Sequence, residues 1–399
     1  MGGNAERPLT GLRILDLSRV LAGPYCAMLL GDLGAEVIKV EEPTRGDETR
    51  TWGPPYVGGE SAYYLGLNRN KRGITLNLKY PEGLAVLDRL IRRSDVLIQN
   101  FKAGTLERLG RGDDVLARMN PRLVRLAISG FGADGPYRDR PAYDFILQAM
   151  VGLMSITGEP NGEPMKLGVA VVDVVTALYS AVGVLGALQA RERTGRGQRV
   201  DTSLLESGVA MLVNVASSYL NSGKQPARHG NAHANIVPYQ TFRAANGFVA
   251  VAIGNDGQFA KLCQLLGAPE MAVDPRYATN QARVANRAML LPILQEYFSR
   301  QSVGHWTDLL IEAGLPAGPI NTIDQVFADP QVLARQMVER IAHPTAGEIG
   351  MVRSPWTFSE TPAGIDRHPP LLGEDTTEIL LELGYPEEEI AHLRVEGAI

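Results

Sequence analysis

The sequence predicts an α/β protein with a large Rossmann-like domain and a smaller α+β domain. Three observations predict it. Through the first 130 residues, short β-branched runs alternate with apolar helical segments, the pattern of βαβ units on a parallel sheet. From Asn221 to His233 the chain turns polar, with Gly and Pro, and reads as a linker. Beyond it, Tyr239 to Ile253 suggests a hairpin turning at Asn246-Gly247, a two-residue hairpin signal.

In chain order, Arg13 to Leu17 reads as a buried strand, followed by an Ala22-Gly23-Pro24 loop, an apolar helix ending near Gly34 and a second strand, Glu36 to Val40. Gly73 to Leu78, Asp95 to Asn100 and Leu123 to Ser129 continue the strands, with helices at Pro81 to Arg93 and around Leu106 to Met119. Asp144 to Met154 reads as helix, Gln198 to Leu204 as strand and Leu205 to Leu220 as helix. Helices at 256–266, 279–300 and 303–313 complete the smaller block, and the tail returns to short strands and two helices. The domains are therefore drawn as 1–222, 223–330 and a C-terminal return, 331–399.

The composition limits the function classes. The chain has 399 residues, 45% hydrophobic and 21% charged, with a net charge of −5, so no broad basic surface for nucleic acid is implied. Cys26 and Cys263 stand far apart in apolar helical patterns, which suits a reducing compartment and a cytoplasmic location. The N-terminus has no apolar signal core. The membrane-like run at 169–189 contains Asp173 and many small residues, which reads as a packed core helix and not a span. Gly130 to Gly135 fits G-x-G-x-x-G but follows a late strand and runs into loop, so no dinucleotide site is assigned. His229 and His233 straddle Gly230-Asn231, which argues against helical metal spacing, and no metal site is expected.

Gly168 to Asp201 is the most informative stretch. Asp173 is followed by fifteen residues without a charge, from Val174 to Leu188. Val171 and Val172 look extended, and the residues after Asp173 form a helix expected to be buried on nearly all sides. Asp173 then sits near a helix N-terminus, where a carboxylate stays ionised. A helix cap and a nucleophile both fit. Lys39, Lys79 and Lys102 lie at the carboxyl ends of the predicted strands, where open sheets bind ligands; a phosphate-bearing ligand and ordinary solvation both fit these lysines. Asn100-Phe101 at the same rim suits an adenine. Tyr63, Tyr64 and Tyr143 are pocket candidates or surface tyrosines.

Seven motifs, in order, resemble the family III CoA-transferases from end to end: GLRILDLSRVLAGP at 11–24, LGDLGAEVIKVEEPTRGDETR at 30–50, NRNKRGITLNLK at 68–79, QNFKAGTLERLG at 99–110, PAYD at 141–144, VVDVVTALYSAVGVLGALQARERTGRGQ at 171–198 and PPLLGEDTTEIL at 369–380. TRTWGPPYVGGESAYYLGLNRNK at 49–71, GNAHANIVPYQTF at 230–242 and GNDGQFAKLC at 254–263 resemble the branch that moves CoA from succinyl-CoA to glutarate and related dicarboxylates.

The resemblance implies Asp173 as the nucleophile that forms aspartyl anhydride and aspartyl-CoA intermediates. It places Val20, Leu21, Ala22 and Gly23 against the thioester and pantetheine, and Leu76, Lys79, Asn100, Phe101 and Arg108 around the adenine and phosphates. Tyr143 lies near the active centre. Arg19, Tyr63, Tyr64, Gly230 and His233 are candidates for the acid substrate, with Gly230 the hinge of a mobile loop. Glu42 and Pro141 stand where formyl-CoA transferases carry a basic residue. Acyl-CoA is then a substrate and not a tightly bound cofactor, and the family fold implies an interlocked homodimer. The alternatives are a 2-methylacyl-CoA racemase, which carries Gly-His-Asp where this chain has Ala142-Tyr143-Asp144, and a non-catalytic CoA-binding protein.

Overall fold

The computed structural model describes residues 6–399. The chain forms two compact units. The first comprises residues up to Val151, Leu167–Asn221 and Leu333–Ile399; the second comprises Gly152–Lys166 and Ser222–Val332.

The first unit is built on six parallel strands in the order Lys71–Thr75, Glu36–Glu41, Arg13–Asp16, Val96–Gln99, Val124–Ser129 and Arg199–Ser203. In chain order this is 3-2-1-4-5-6, the doubly wound arrangement, whose ligand crevice lies where the winding reverses. Here that point falls between Arg13–Asp16 and Val96–Gln99, which pair from Ile14↔Val96 to Asp16↔Ile98. Ile14, Leu15, Val37, Ile38, Val96, Leu97 and Ile98 are all buried, as expected of strands covered on both faces.

The tail covers the edge strand Lys71–Thr75. The Gly73 N–H donates to Asp375 Oδ2 at 2.7 Å, the Thr75 N–H to Thr376 Oγ1 at 3.1 Å and the Asn77 N–H to the Ala398 carbonyl at 2.8 Å. Helices Thr376–Glu382 and Glu387–Val395 send Ile379, Leu380, Ile390 and Leu393 into the same core as Leu87 and Ile91. Residues 300 positions away in sequence thus finish the sheet edge, which would otherwise present unpaired backbone groups.

Charge is buried around Asp16, the last residue of the first strand. Lys39 Nζ donates to Asp47 Oδ2 at 2.9 Å and to the Ser18 carbonyl at 3.0 Å, and Lys71 Nζ donates to Asp16 Oδ2 at 3.0 Å, to the Pro24 carbonyl at 2.8 Å and to Asn68 Oδ1 at 2.9 Å. All four charged side chains are fully buried. Burial alone would raise Asp16, but Lys71 and Lys39 outweigh it and hold the carboxyl below its usual range. Burial draws Lys71 down to about 8, because Asp16 offsets only part of it and Lys39 opposes. Asp47, against burial, is pulled to about 2 by Lys39 and the Thr49 N–H. Lys39 is therefore an internal strut, not the rim lysine that the sequence suggested.

The helix Val171–Thr194 is 24 residues long and starts at Val171, so the two valines expected to be extended are its first turn. By length and composition it could cross a membrane. In this unit it packs along the Ala22–Asp32 helix and the last two strands. Val172, Ala177, Val184 and Leu188 are buried, whereas Leu178, Tyr179, Val182 and Leu185 are exposed. It is therefore apolar all round but covered on one side, not on nearly all.

In the second unit, Ala317–Pro319, Gly247–Ala252 and Tyr239–Ala244 form an antiparallel sheet. Its hairpin turns at Ala245-Asn246, one residue earlier than Asn246-Gly247, because Ala244 pairs with Gly247. Asn246 Oδ1 is used elsewhere, accepting from the Val303 N–H at 2.8 Å. Helices Asp256–Leu265, Arg287–Phe298 and Val303–Glu312 close a core around Phe242, Phe259, Phe298 and Trp306. Residues 152–166, drawn with the large domain from sequence, sit in this unit: the Gly230 N–H donates to the Gly158 carbonyl at 3.0 Å and Arg228 to the Glu159 and Gly162 carbonyls.

Replacing Lys39 with Met leaves Asp47 buried without its cation, a change that costs about 3–5 kcal/mol in comparable pairs. The expected result is a large fall in the denaturant midpoint at pH 7. Because Asp47 is depressed to about 2 from 3.8, the pair's contribution is present above that ordinary value and is lost as pH falls toward about 2. The gap between unmodified protein and variant should therefore narrow under acid; an equal gap at pH 7 and in strong acid would contradict this.

Candidate active site

The first strand ends at Asp16, and the chain crosses the switch point as Ser18-Arg19-Val20-Leu21 before entering the Ala22–Asp32 helix. Asn100, just past the fourth strand, clips this loop on both sides: the Arg19 N–H donates to Asn100 Oδ1 at 2.9 Å and Asn100 Nδ2 donates to the Arg19 carbonyl at 2.7 Å. Val20 has φ +71°, a left-handed conformation that a β-branched residue adopts only when its surroundings impose it. The Val20 N–H donates to Asp47 Oδ1 at 3.3 Å, and Lys39 holds the Ser18 carbonyl. Gly23 is needed behind the loop, because a Cβ there would lie 2.2 Å from Ser18 Oγ. Gly23 is thus a packing position, while Val20, Leu21 and Ala22 line the cleft in front.

Asp173 is the third residue of its helix and does not cap it. The formal N-cap, Ala170, has no side chain for the task. Asp144, the first residue of the Asp144–Met150 helix, supplies the cap: its Oδ1 accepts from the Val172 N–H at 2.8 Å and more weakly from the Asp173 N–H at 3.4 Å. Its Oδ2 accepts from Gln148 Nε2 at 2.6 Å, and Gln148 in turn ties Val169 and Leu167. The Asp173 carboxylate is left to face the cleft. Burial, and then the Asp144 charge, push it up from 3.8 to about 7. The expectation that Asp173 stays ionised is shifted accordingly, because burial and the Asp144 charge both favour its protonated form.

Asp173 lies in a cleft of about 190 Å³ whose lining includes Arg19, Val20, Leu21, Ala22, Asn100 and Tyr143. Glu48, Ser129 and Gly130 also line it. Arg19, Asn100, Ser129, Gly130 and Tyr143 continue into a larger cleft of about 1030 Å³, lined further on by Phe101, Lys102 and Arg140. Several cations of the larger cleft are neutralised: Arg111 by Asp88, Arg125 by Asp113 and Arg199 by Asp201. Among the described residues neither Lys102 nor Arg140 has a carboxylate partner; Arg140 stacks 3.6 Å above the Tyr137 ring. The two clefts together offer a desolvated carboxyl group at one end and open positive charge at the other. Arg19 is the cation of the smaller cleft, in an exposed pair with Glu48 at 3.1 Å.

Other expected site residues fall elsewhere. Tyr64 is fully buried, with its hydroxyl among Arg50, Glu41 and the Pro370 carbonyl, so it is a core residue. Tyr63 stays near the site: burial, then Asp173 and Asp144, raise its hydroxyl to about 12. The Leu76 side chain is in the core. Lys79 is exposed and outside both clefts. Arg108 is exposed, donating to Thr105 Oγ1 at 2.8 Å, one residue beyond the cleft lining. Glu42 accepts from the Thr44 and Arg45 N–H groups, capping its own turn. Gly230 (φ +58°) and His233 belong to the second unit, where His233 Nδ1 accepts from the Asn235 N–H at 3.0 Å. Glu48 and Ser129-Gly130 were not legible as site residues, although Ser129 ends a strand and Gly130 follows it, the signal that had pointed to Asn100. Asp144 was visible only as part of a motif.

A family model described as CoA-transferase family III matches residues 9–376. The succinyl-CoA:glutarate CoA-transferase of Homo sapiens is 44% identical over 397 residues, spanning 99% of this chain and 91% of that protein. The succinate–glutarate CoA-transferase of Agrobacterium fabrum is 46% identical over 386 residues, spanning 95% and 96%. The crystal structure of a CAIB/BAIF family protein from Brucella suis superposes with a TM-score of 0.86 at 46% identity, covering 95% of this chain and all of that one. With the doubly wound sheet, the crevice at its switch point and this match over nearly its whole length, the chain belongs to CoA-transferase family III and is an enzyme of CoA transfer.

Proposed function

We propose that the protein transfers CoA from succinyl-CoA to a dicarboxylate, with glutarate the first candidate, through covalent intermediates on Asp173. The observation that carries this reading is the Asp173 carboxyl group, desolvated and free of the helix-capping duty, at the inner end of a cleft with unpaired cations farther out. The names of the human and Agrobacterium relatives supply the donor and acceptor.

The steps balance without an external acid or oxidant. An Asp173 oxygen attacks the thioester carbon, the C–S bond breaks, and a mixed anhydride and CoA thiolate form. The thiolate attacks the aspartyl carbonyl and releases succinate, leaving an aspartyl-CoA thioester. The acceptor carboxylate attacks that carbonyl and expels thiolate, which then attacks the acceptor's carbonyl in the new anhydride and frees Asp173. Covalent catalysis divides one difficult exchange into easier ones, and burial makes the carboxylate a better nucleophile. Ala22 opens a helix and lines the cleft; first-turn N–H groups lack intrahelical acceptors, and one such donor to a developing oxyanion is worth roughly 3 kcal/mol.

In this reading the adenine and phosphates occupy the larger cleft by Phe101, with Lys102 and Arg140 taking the load that Glu42 and Pro141 do not carry. Arg19 leaves its weak exposed pair to meet the acceptor's second carboxylate. The exposed apolar face at Leu178, Tyr179, Val182 and Leu185, with Phe145 and Ile146 nearby in sequence to the capping residue, supports the interlocked homodimer, and the cytoplasm is the proposed location. Racemisation is disfavoured because Asp144 has both oxygens engaged and Tyr143 replaces the histidine.

Incubation with succinyl-CoA followed by hydroxylamine should label the peptide containing Asp173, and Asp173→Ala should abolish glutarate-dependent transfer while CoA still binds. Labelling only elsewhere, or substantial transfer by the variant, would reject the covalent role; CoA binding without transfer to any dicarboxylate would favour a binding protein. Because Asp173 is raised to about 7, the ionised fraction grows with pH, so single-turnover labelling should rise between pH 6 and 8 and then level. A rate independent of pH across that interval would contradict a titrating nucleophile.

The charge-removing double variant Lys102→Gln/Arg140→Gln should raise KM for succinyl-CoA about tenfold or more, with a smaller effect on kcat, since charge-assisted contacts are worth about 1.5–3 kcal/mol. The penalty should shrink with the dephospho-CoA thioester if these residues meet the 3′-phosphate. An unchanged KM would place the phosphates elsewhere.

A further inference from the structure

We infer that Asp144 is a positioning residue for the nucleophile: by capping the Val171–Thr194 helix from outside, with its carboxylate at the same helix start as Asp173, it keeps the Asp173 carboxyl group unengaged in the cleft. This rests on the reading of Asp173 as the nucleophile.

The geometry has three parts. A helix N-terminus needs an acceptor for its first N–H groups, and a short carboxylate is among the best. Ala170 cannot supply one, and Asp173, in the first turn, is the acid of its own helix available for the task. Asp144 Oδ1 takes the Val172 N–H at 2.8 Å, the place an N-cap side chain would occupy. Its other oxygen is fixed by Gln148 Nε2 at 2.6 Å, and Gln148 Oε1 accepts from the Leu167 N–H at 2.8 Å. Asp144 therefore cannot turn away without breaking the segment that leads into the helix.

The electrostatic consequence follows from position. A carboxylate at the same helix start disfavours the ionised form of Asp173. The neighbouring groups do not cancel this. The first-strand loop brings Arg19, already paired with Glu48 from the Glu48–Thr51 turn; the Ala62–Leu65 turn brings Tyr63; and the residue before Asp144 is Tyr143. The Ala22–Asp32 and Leu204–Ala210 helices contribute Ala22 and Leu204 to the cleft, which do not titrate. Burial first, and then the Asp144 charge, raise Asp173, and a neutral cap of the same shape would remove the second contribution and let it ionise at lower pH.

The test compares Asp144→Asn, which keeps an acceptor for the cap but removes the charge, with Asp144→Ala, which removes both. Asp173 is titrated by difference infrared spectroscopy of its protonated carbonyl stretch, each protein minus its own Asp173→Asn derivative, and by the pH dependence of succinyl-CoA-dependent labelling. In Asp144→Asn the Asp173 midpoint should fall by half a pH unit or more in both measurements. In Asp144→Ala the labelling rate at high pH should fall about tenfold or more, as Asp173 is drawn into its own helix start. An Asp144→Asn midpoint equal to that of the unmodified protein would overturn the proposal, as would an unaltered labelling rate in Asp144→Ala. The infrared titration needs no turnover: if the unmodified protein is not labelled at Asp173, the covalent reading fails while the effect of Asp144 on the carboxyl group is still measured.

Discussion

The site depends on charge buried beneath it. Lys39, Asp47, Asp16 and Lys71 have no exposed side-chain surface, although Asp16 ends the first strand, Lys39 lies in the second, Asp47 follows it and Lys71 opens the edge strand. Buried ion pairs contribute little net stability, because desolvation offsets most of the attraction. Their value here is geometric. Lys39 holds the Ser18 carbonyl, Asp47 receives the Val20 N–H, and Lys71 holds the Pro24 carbonyl. Together they fix a loop containing a left-handed valine and aim it at the crevice. Without them the Val20 conformation would relax, and the start of the Ala22–Asp32 helix would lose its orientation.

A second carboxylate network does a similar task on the opposite wall. Asp144 organises the start of the Val171–Thr194 helix, and Gln148 carries the same network back to Leu167 and Val169. The two networks differ in sign balance. Under the loop each acid has a buried cation, so Asp16 and Asp47 stay ionised. Beside Asp144, no buried cation among the described residues answers Asp173, so burial and like charge raise it to about 7. The same residue type thus serves as strut, cap and desolvated cleft carboxyl, according to what surrounds it.

The division of charge along the cleft fits an elongated substrate. Near Asp173 the walls are apolar or neutral apart from Arg19 and Glu48, which suits an exchange of acyl groups from which water must be kept. Farther out, Lys102 and Arg140 keep open charge while their neighbours are paired within the protein. A ligand with an anionic end and an uncharged arm would be oriented by this gradient.

By itself the sequence determined the alternation of elements, hence the parallel sheet and its ligand end, and its motifs carried the family. Those features are local or periodic: β-branched runs, helical spacing, a lone acid in an apolar stretch. Tertiary structure decided what each polar residue does. Lys39 and Lys79 look alike in sequence at strand ends, yet one is a buried strut and the other solvated. Tyr63 and Tyr64 are neighbours, but one feels Asp173 and the other bonds Glu41 and Arg50 in the core. Of the two duties open to Asp173, the cap falls to Asp144, twenty-nine positions away. Propensity can say that a helix start needs an acceptor; which acceptor reaches it depends on how distant segments pack, and that distance is not encoded in any single stretch.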